Sequence, residues 1–225
     1  MKGHDKTTYE RLMQSAAKLF SQKGFDGVTT RQIVADAGSS LSSLQAHFQS
    51  KESLYQAVIE RTLETFYEIN KPMLAEIHEA ENQGFLTPSM SWNFIVQLTN
   101  QIVEWAFLEE YHNEIVLINR EILMSADTGR KLPGSVFEIY LIYQRLIERY
   151  IGESDQFWIR ALSFSIVTSA FDVANYPRAL NYVLGCDSSL PENRSRIKMY
   201  MKGYLLNCIQ STAEIRKGQK AQETF

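Results

Sequence analysis

Apolar residues recur along this chain at helical spacing, and no stretch alternates as a half-buried strand would. Tyr9, Leu12, Ala16, Leu19 and Phe20 fall on one stripe and predict a first helix. Gly24 is placed as a left-handed residue just past its end, with Phe25 folding back onto it. Thr29-Thr30-Arg31-Gln32 reads as a capping box that opens a second, short helix to about Ala37. That helix is expected to bury Ile33 with Val34 or Ala37. Gly38 breaks it, Ser40 caps a third helix, and Leu41, Leu44 and Phe48 are the expected inward stripe of that third helix. Ser50 caps a fourth, whose stripe runs through Leu54, Val58, Phe66, Ile69, Met73 and Ile77 and which Pro72 is expected to kink or interrupt. Beyond a loop at 84–88 the pattern predicts helices over 88–110, 112–125, 133–151, 155–183 and 190–216. Turns are expected at 127–134 and 185–191, and a polar, frayed end from Arg216.

The predicted fold is therefore all-α. An N-terminal three-helix helix-turn-helix domain (1–55) is joined to a larger helical-bundle domain (56–216), followed by a polar tail (217–225). A length of 225 residues suffices for a small domain and a larger one. Apolar residues at 44% and charged residues at 22% match ordinary globular usage and exclude a disordered chain. The longest uncharged stretch, 82–103, contains Asn, Gln, Gly, Pro and Ser and is too polar to span lipid, so no membrane partner is expected. The first residues lead into charged amphipathic sequence rather than an apolar export signal, and a cytoplasmic location is expected. Cys186 and Cys208 have no metal or redox spacing and read as reduced thiols. The net charge of −3 hides a reversal: residues 1–55 hold seven Lys/Arg against five Asp/Glu, and the remainder is acidic.

Residues 29–51 carry the chemistry. Two short helices joined by a turn at Ala37-Gly38-Ser39 make a helix-turn-helix, which requires glycine at the tight turn and apolar residues to lock the pair. On the second of these helices Ser42, Ser43, Gln45, Ala46 and His47 are left outside. Four of these five can hydrogen-bond and none is acidic, so this face can enter a major groove without repelling phosphate.

At this point the sequence resembles the TetR/AcrR family. The resemblance rests on Ala16-Ala17, Leu19-Phe20, Gly24-Phe25, Thr29-Thr30, Ile33, Ala37-Gly38, Ser40, Leu44, His47-Phe48, Ser50-Lys51-Glu52 and Leu54-Tyr55. It implies an all-α homodimeric transcription regulator that binds double-stranded operator DNA and carries a variable ligand-binding domain. Transferred to this chain, it implies that Thr29 and Thr30 rest on the DNA backbone and that Ser42, Ser43, Gln45, Ala46 and His47 read the groove. It further implies that Lys51 contacts phosphate from the first turn of the fourth helix. Arg31 joins them as a phosphate or minor-groove contact by its place and charge. Gln45 stands where the family usually has Tyr, Ser39 where a small apolar residue is common, and Leu41 where many members have a polar residue. Gln45 can pair bidentately with adenine, so the operator sequence is not transferable.

Of 26 aromatic residues, 21 lie beyond residue 55. A cavity lined by such rings suits a small apolar or aromatic effector. Trp105, Phe137, Tyr140 and Phe171 are its expected lining, with Asn119, Arg120 and Asn175, and beside them Glu121 and Asp172, as polar groups. The last two helices are the expected dimer seam, through a stripe of Ile197, Met201, Tyr204, Leu205, Cys208 and Ile215. An enzyme is not expected. His4, His47, His78 and His112 are scattered without metal spacing, and there is no phosphate loop and no nucleophile elbow, so no cofactor or metal is anticipated. The expected activity is that of a repressor released from a palindromic operator by its effector. The alternative is a helical scaffold of the same kind that binds a protein partner without an effector.

Overall fold

A computed structural model describes the backbone of residues 7–128, 135–152 and 155–223, and their side chains except those of 121–128, 135, 136, 174 and 217–223. Among these residues every regular element is helical. Tertiary contacts gather them into two compact units, Met1–Phe66 with Glu110–Pro133, and Tyr67–Glu109 with Gly134–Phe225. The division thus falls after Phe66 rather than after residue 55. It also adds 110–133 to the N-terminal unit, because a helix's periodicity shows which face is buried but not which helix covers it.

The first unit begins with α1 (Thr8–Lys23), whose N-cap Thr7 forms a reciprocal capping box with Glu10. Leu12, Met13, Ala16 and Phe20 are fully buried along its inner face. Gly24 ends it at φ 74° and ψ 171°, a positive-φ residue with an extended ψ rather than the left-handed helical conformation expected. Its missing side chain has a use, since a Cβ there would lie 2.7 Å from a guanidinium nitrogen of Arg120. Helix α2 (Thr30–Asp36) starts from the predicted Thr29–Gln32 capping box. Gly38 (φ 56°) follows, with the Ser39 N–H donating to Val34 O at 2.8 Å, the six-to-one bond of a Schellman close. Helix α3 (Leu41–Phe48) is capped by Ser40, whose hydroxyl accepts from the Ser43 N–H. Helix α4 (Lys51–Asn82) begins at Ser50, which caps Ser53 N in the same way, and contributes buried Leu54, Tyr55, Val58 and Ile59. Pro72 lies inside α4 without interrupting it. Ile69, placed on the inward stripe by spacing, is 55% exposed. A single 3-10 turn at Glu109–Tyr111 leads into α6 (His112–Thr128), which packs on α1.

The second unit holds the rest of α4 with α5 (Pro88–Ala106), α7 (Ser135–Ile151), α8 (Gln156–Asn175), α9 (Pro177–Leu184) and α10 (Pro191–Glu223). Helices α5, α9 and α10 each open on proline, whose absent N–H costs nothing in a first turn. Pro177 also corrects the single helix expected over 155–183: it cannot continue α8, so α8 ends at Asn175 and α9 starts afresh. The end expected to fray from Arg216 continues as helix to Glu223, and residues 129–134 of the turn expected at 127–134 lie outside the described residues. Ile95, Leu98 and Ile102 of α5 and Tyr143, Leu146 and Ile147 of α7 form the core. Helix α10 adds Ile197, Met201, Leu205, Ile209 and Ala213 at a spacing of four. Ile197, Met201 and Leu205 therefore face their own subunit, whereas the expected seam residues Tyr204 and Ile215 are exposed. On the outside of α10, Glu104 of α5 bridges Lys198 and Lys202 at 2.5 and 2.6 Å.

One polar pair sits inside this core, with the Thr99 and Tyr143 hydroxyls 2.9 Å apart and both residues sealed from water. Removing either partner leaves a buried hydroxyl unpaired, so Thr99→Val and Tyr143→Phe are each expected to cost about 1–3 kcal/mol. The double variant is expected to cost clearly less than their sum, as read by urea unfolding of all four proteins.

Candidate nucleic-acid interface

Helix α3 is fixed by two side chains. Leu44 and Phe48 are buried, and the Tyr9 ring of α1 stacks on Phe48 at 5.0 Å between centroids. With those positions turned inward, Ser42, Gln45, Ala46 and His47 are left exposed, as expected, while Ser43 is half-buried and its hydroxyl lies 3.0 Å from that of Ser40. Leu41 departs from expectation: it is 45% exposed. At about 100° per residue, Leu41 lies about 60° from Leu44 and about 20° from Phe48, so it shares their stripe by angle and is exposed at the first position of the helix. The His47 ring is held edge-on to Tyr9 at 5.9 Å, so Tyr9 both locks the helix and steadies an outward imidazole. Sequence periodicity assigned Tyr9 only to the inner stripe of α1. Its position near the start of that helix is the feature that frees it to reach α3.

The turn before α2 carries the other expected contacts. Thr29 and Arg31 are exposed and Thr30 half-buried. The Thr29 hydroxyl is taken up by the capping box, accepting from Gln32 N at 3.3 Å and donating to its Oε1 at 3.1 Å. Lys51 is turned toward the protein: its ammonium donates to Phe25 O at 3.0 Å and Val28 O at 2.9 Å, and lies 4.0 Å from the centroid of the Phe25 ring. Phe25 itself packs against Phe20 and Tyr55, with centroids 5.8 and 5.1 Å away. The first residue of α4 thereby closes the loop that sets Thr29 and Thr30.

Two further cations lock α1 to the turn, and neither was singled out by the sequence. Arg11 Nε donates to Ala37 O at 3.1 Å, and Lys18 meets Asp36 at 2.7 Å. Hydrogen bonds from Lys18 and then Ser15 hold the Asp36 carboxyl below its usual range. Reach of this kind needs three dimensions, because the partners are 26 and 18 residues apart.

The expected effector residues do not all fall in one unit. Asn119 and Arg120 belong to the first, where the Arg120 guanidinium lies against Gly24. Trp105, Phe137, Tyr140, Phe171 and Asn175 belong to the second. There Trp105 meets Phe171 edge-on at 5.7 Å, and Phe137 lies 6.3 Å from Tyr140. The Glu121 side chain lies outside the described ones. Cys186 and Cys208 are both free thiols. No single helix among the described residues is long and apolar enough to cross a membrane.

The helix-turn-helix lies within the one stretch that matches a known family: residues 12–58 match the family described as "Bacterial regulatory proteins, tetR family". The chain is 38% identical over 47 residues to the biofilm operon icaADBC HTH-type negative transcriptional regulator IcaR of Staphylococcus aureus, covering 21% of this chain and 25% of that protein. It is 34% identical over 55 residues to the HTH-type transcriptional regulator YvdT of Bacillus subtilis, covering 24% and 28%. The chain thus spans about a quarter of the length of these curated relatives in the matched stretch. Whole-chain likeness is to the fold: a TetR-like transcriptional regulator from Rhodococcus sp. RHA1 superposes with a TM-score of 0.57 at 15% identity, covering 93% of this chain and 97% of that one. A gamma-butyrolactone receptor (ArpA-like protein) does so with a TM-score of 0.52 at 20% identity, covering 88% and 95%.

Because Lys51 makes two charge-assisted hydrogen bonds and covers an aromatic face, Lys51→Ala is expected to lower the unfolding free energy by about 1–3 kcal/mol. Urea denaturation checks this. An unchanged midpoint would mean that the loop does not depend on the clamp.

Proposed function

We propose that this chain is a cytoplasmic, ligand-responsive transcriptional repressor that binds a palindromic operator as a homodimer. The observation that carries the proposal is the outward face of α3, where Ser42, Gln45, Ala46 and His47 are exposed together and no acidic residue intervenes. Gln45 and His47 offer hydrogen bonds to base edges, and Ala46 and the exposed Leu41 offer apolar contact for a thymine methyl. Thr29, Thr30 and Arg31 at the start of α2 rest on the phosphate backbone, and Ser43 adds to the reading face from its half-buried position. Lys51 supports them by holding the loop, with the first-turn N–H groups of α4 beside it as a phosphate site.

The dimer is formed by α8 and α10. The exposed faces of these helices carry Phe157 and Ala161, and Met199, Tyr200, Gly203 and Tyr204, an apolar surface of the kind that a second copy covers. Two reading helices about 34–36 Å apart then meet successive major grooves. A small apolar or aromatic effector binds the second unit, at rings that include Trp105, Phe137, Tyr140 and Phe171, with Asn175 as a polar contact. Helix α4 begins in one unit and ends in the other, so an effector that prefers one arrangement of α4 shifts the population away from the DNA-binding form.

Binding is tested by fluorescence anisotropy on duplexes selected from random DNA, over a range of salt. Arg31→Ala is expected to weaken binding to every duplex and to reduce the salt slope by about one. Gln45→Ala is expected to lose about 1–3 kcal/mol on the selected duplex and little on random sequence. Equal loss on both duplexes for both variants, or no duplex binding by the parent protein, overturns the proposal.

A further inference from the structure

Among the described residues, every positive φ falls on a glycine except one. The exception is Gln49, at φ 63° and ψ −41°, between the end of α3 and the start of α4. Its N–H still donates to Gln45 O at 3.0 Å, as in a helix, while the Ser50 N–H turns back to Phe48 O at 2.6 Å. That second bond closes a γ-turn of the rarer, strained hand around Gln49. A Cβ crowds the backbone at such a φ, and glycine avoids the strain. Gly38 does so before the other end of α3, at φ 56°. Positive-φ residues thus bracket α3, and only the second keeps a side chain.

Helical geometry and chirality fix where that side chain goes. Around the axis of α3, Gln49 falls about 20° from Ser42 and about 40° from Gln45, so it continues their outward stripe by one more turn. In an L-residue with φ reversed, the Cβ takes the direction that the carbonyl carbon takes in a helix. The backbone leaves for α4, and the side chain carries on past the end of α3. Gln49 is exposed, and no hydrogen bond or ion pair joins its carboxamide to a described residue.

A helix seated in a major groove reads bases from its first turns. Gln49 lies about 6 Å beyond Gln45 along the axis, where the helix runs out of the groove and meets its wall of phosphates. The carbonyls that end α3 are acceptors, and the Lys51 ammonium is held inward by Phe25 O and Val28 O. The Gln49 carboxamide is a free donor at that place.

We propose that Gln49 is a contact to the DNA backbone, its strained turn aiming the carboxamide NH2 at a phosphate oxygen where α3 leaves the groove. This rests on the DNA-binding reading above and adds to it a contact that carries no charge. A neutral donor releases no counterion, so it adds affinity for every sequence without adding to the salt dependence.

Fluorescence anisotropy of the full chain on a selected and a random duplex, over a range of salt, tests this with two variants. Gln49→Gly keeps the turn and removes the amide. It is expected to bind both duplexes about three- to tenfold more weakly, with the salt slope unchanged. The melting temperature of the free variant is expected to stay or rise, because glycine is unstrained at this φ. Gln49→Lys keeps the strain and offers a charged donor. It is expected to bind both duplexes at least as tightly as the parent, with a salt slope steeper by about one. A glycine variant that binds like the parent, or that loses affinity for the selected duplex alone, overturns the proposal while the parent's binding leaves the DNA-binding reading standing. A melting temperature that falls together with binding, or a lysine variant no tighter than the glycine one, overturns it too, since the turn and not the amide would then matter. A parent protein that binds neither duplex overturns both.

Discussion

Burial of Leu44 and Phe48 decides what the rest of α3 can do. A helix of eight residues has too few hydrogen bonds to hold itself, so its orientation comes from the two side chains that leave water. Once those are seated against α1, helical geometry leaves Ser42, Gln45, Ala46 and His47 outside. The supports are all local to this pair: Tyr9 stacked on Phe48, the Ser40 cap, and the positive φ of Gly38 that lets α2 end and α3 begin within a few residues. A second layer of support comes from cations used as braces. Arg11, Lys18 and Lys51 each tie a loop or helix end to its neighbour through a carbonyl or carboxylate. In a unit this small, such charge-assisted bonds to backbone oxygen hold the turns that a larger core would otherwise fix.

The helical architecture was legible because its signals are local. The Thr29–Gln32 capping box, the Ser40 and Ser50 caps and the glycine turn at 38 all appear as read, since each depends on residues within a turn or two of one another. What went unread depends on partners far along the chain. Ile69 and Leu41 lie near the inner stripes of their helices, but a stripe is buried only where another element covers it. The break at Pro177 has a different cause: the apolar pattern continues on both sides of it, and the boundary is set by the missing N–H alone. On α10 several faces are apolar, so spacing alone could not tell the stripe facing its own subunit from the one left outside.

For the site the division is similar. The outward positions of α3 followed from the buried ones, and four of the five lie exposed as placed. The role of Lys51 did not follow, because its distance in sequence from Phe25 and Val28 hid the carbonyls that hold its ammonium. The expected effector residues mixed two units for the same reason, since aromatic content marks a region and not a cavity.

The account stands or falls on whether the exposed face of α3 is the surface that meets DNA. His47 reports on this directly, because its imidazole is exposed there while His78 and His112 lie exposed on other helices. Modification by diethyl pyrocarbonate, followed by mass spectrometry of the free protein and of the protein saturated with a selected duplex, reads all three at once. Protection of His47 alone is the predicted result. A His47 that reacts equally fast with the duplex bound would contradict it.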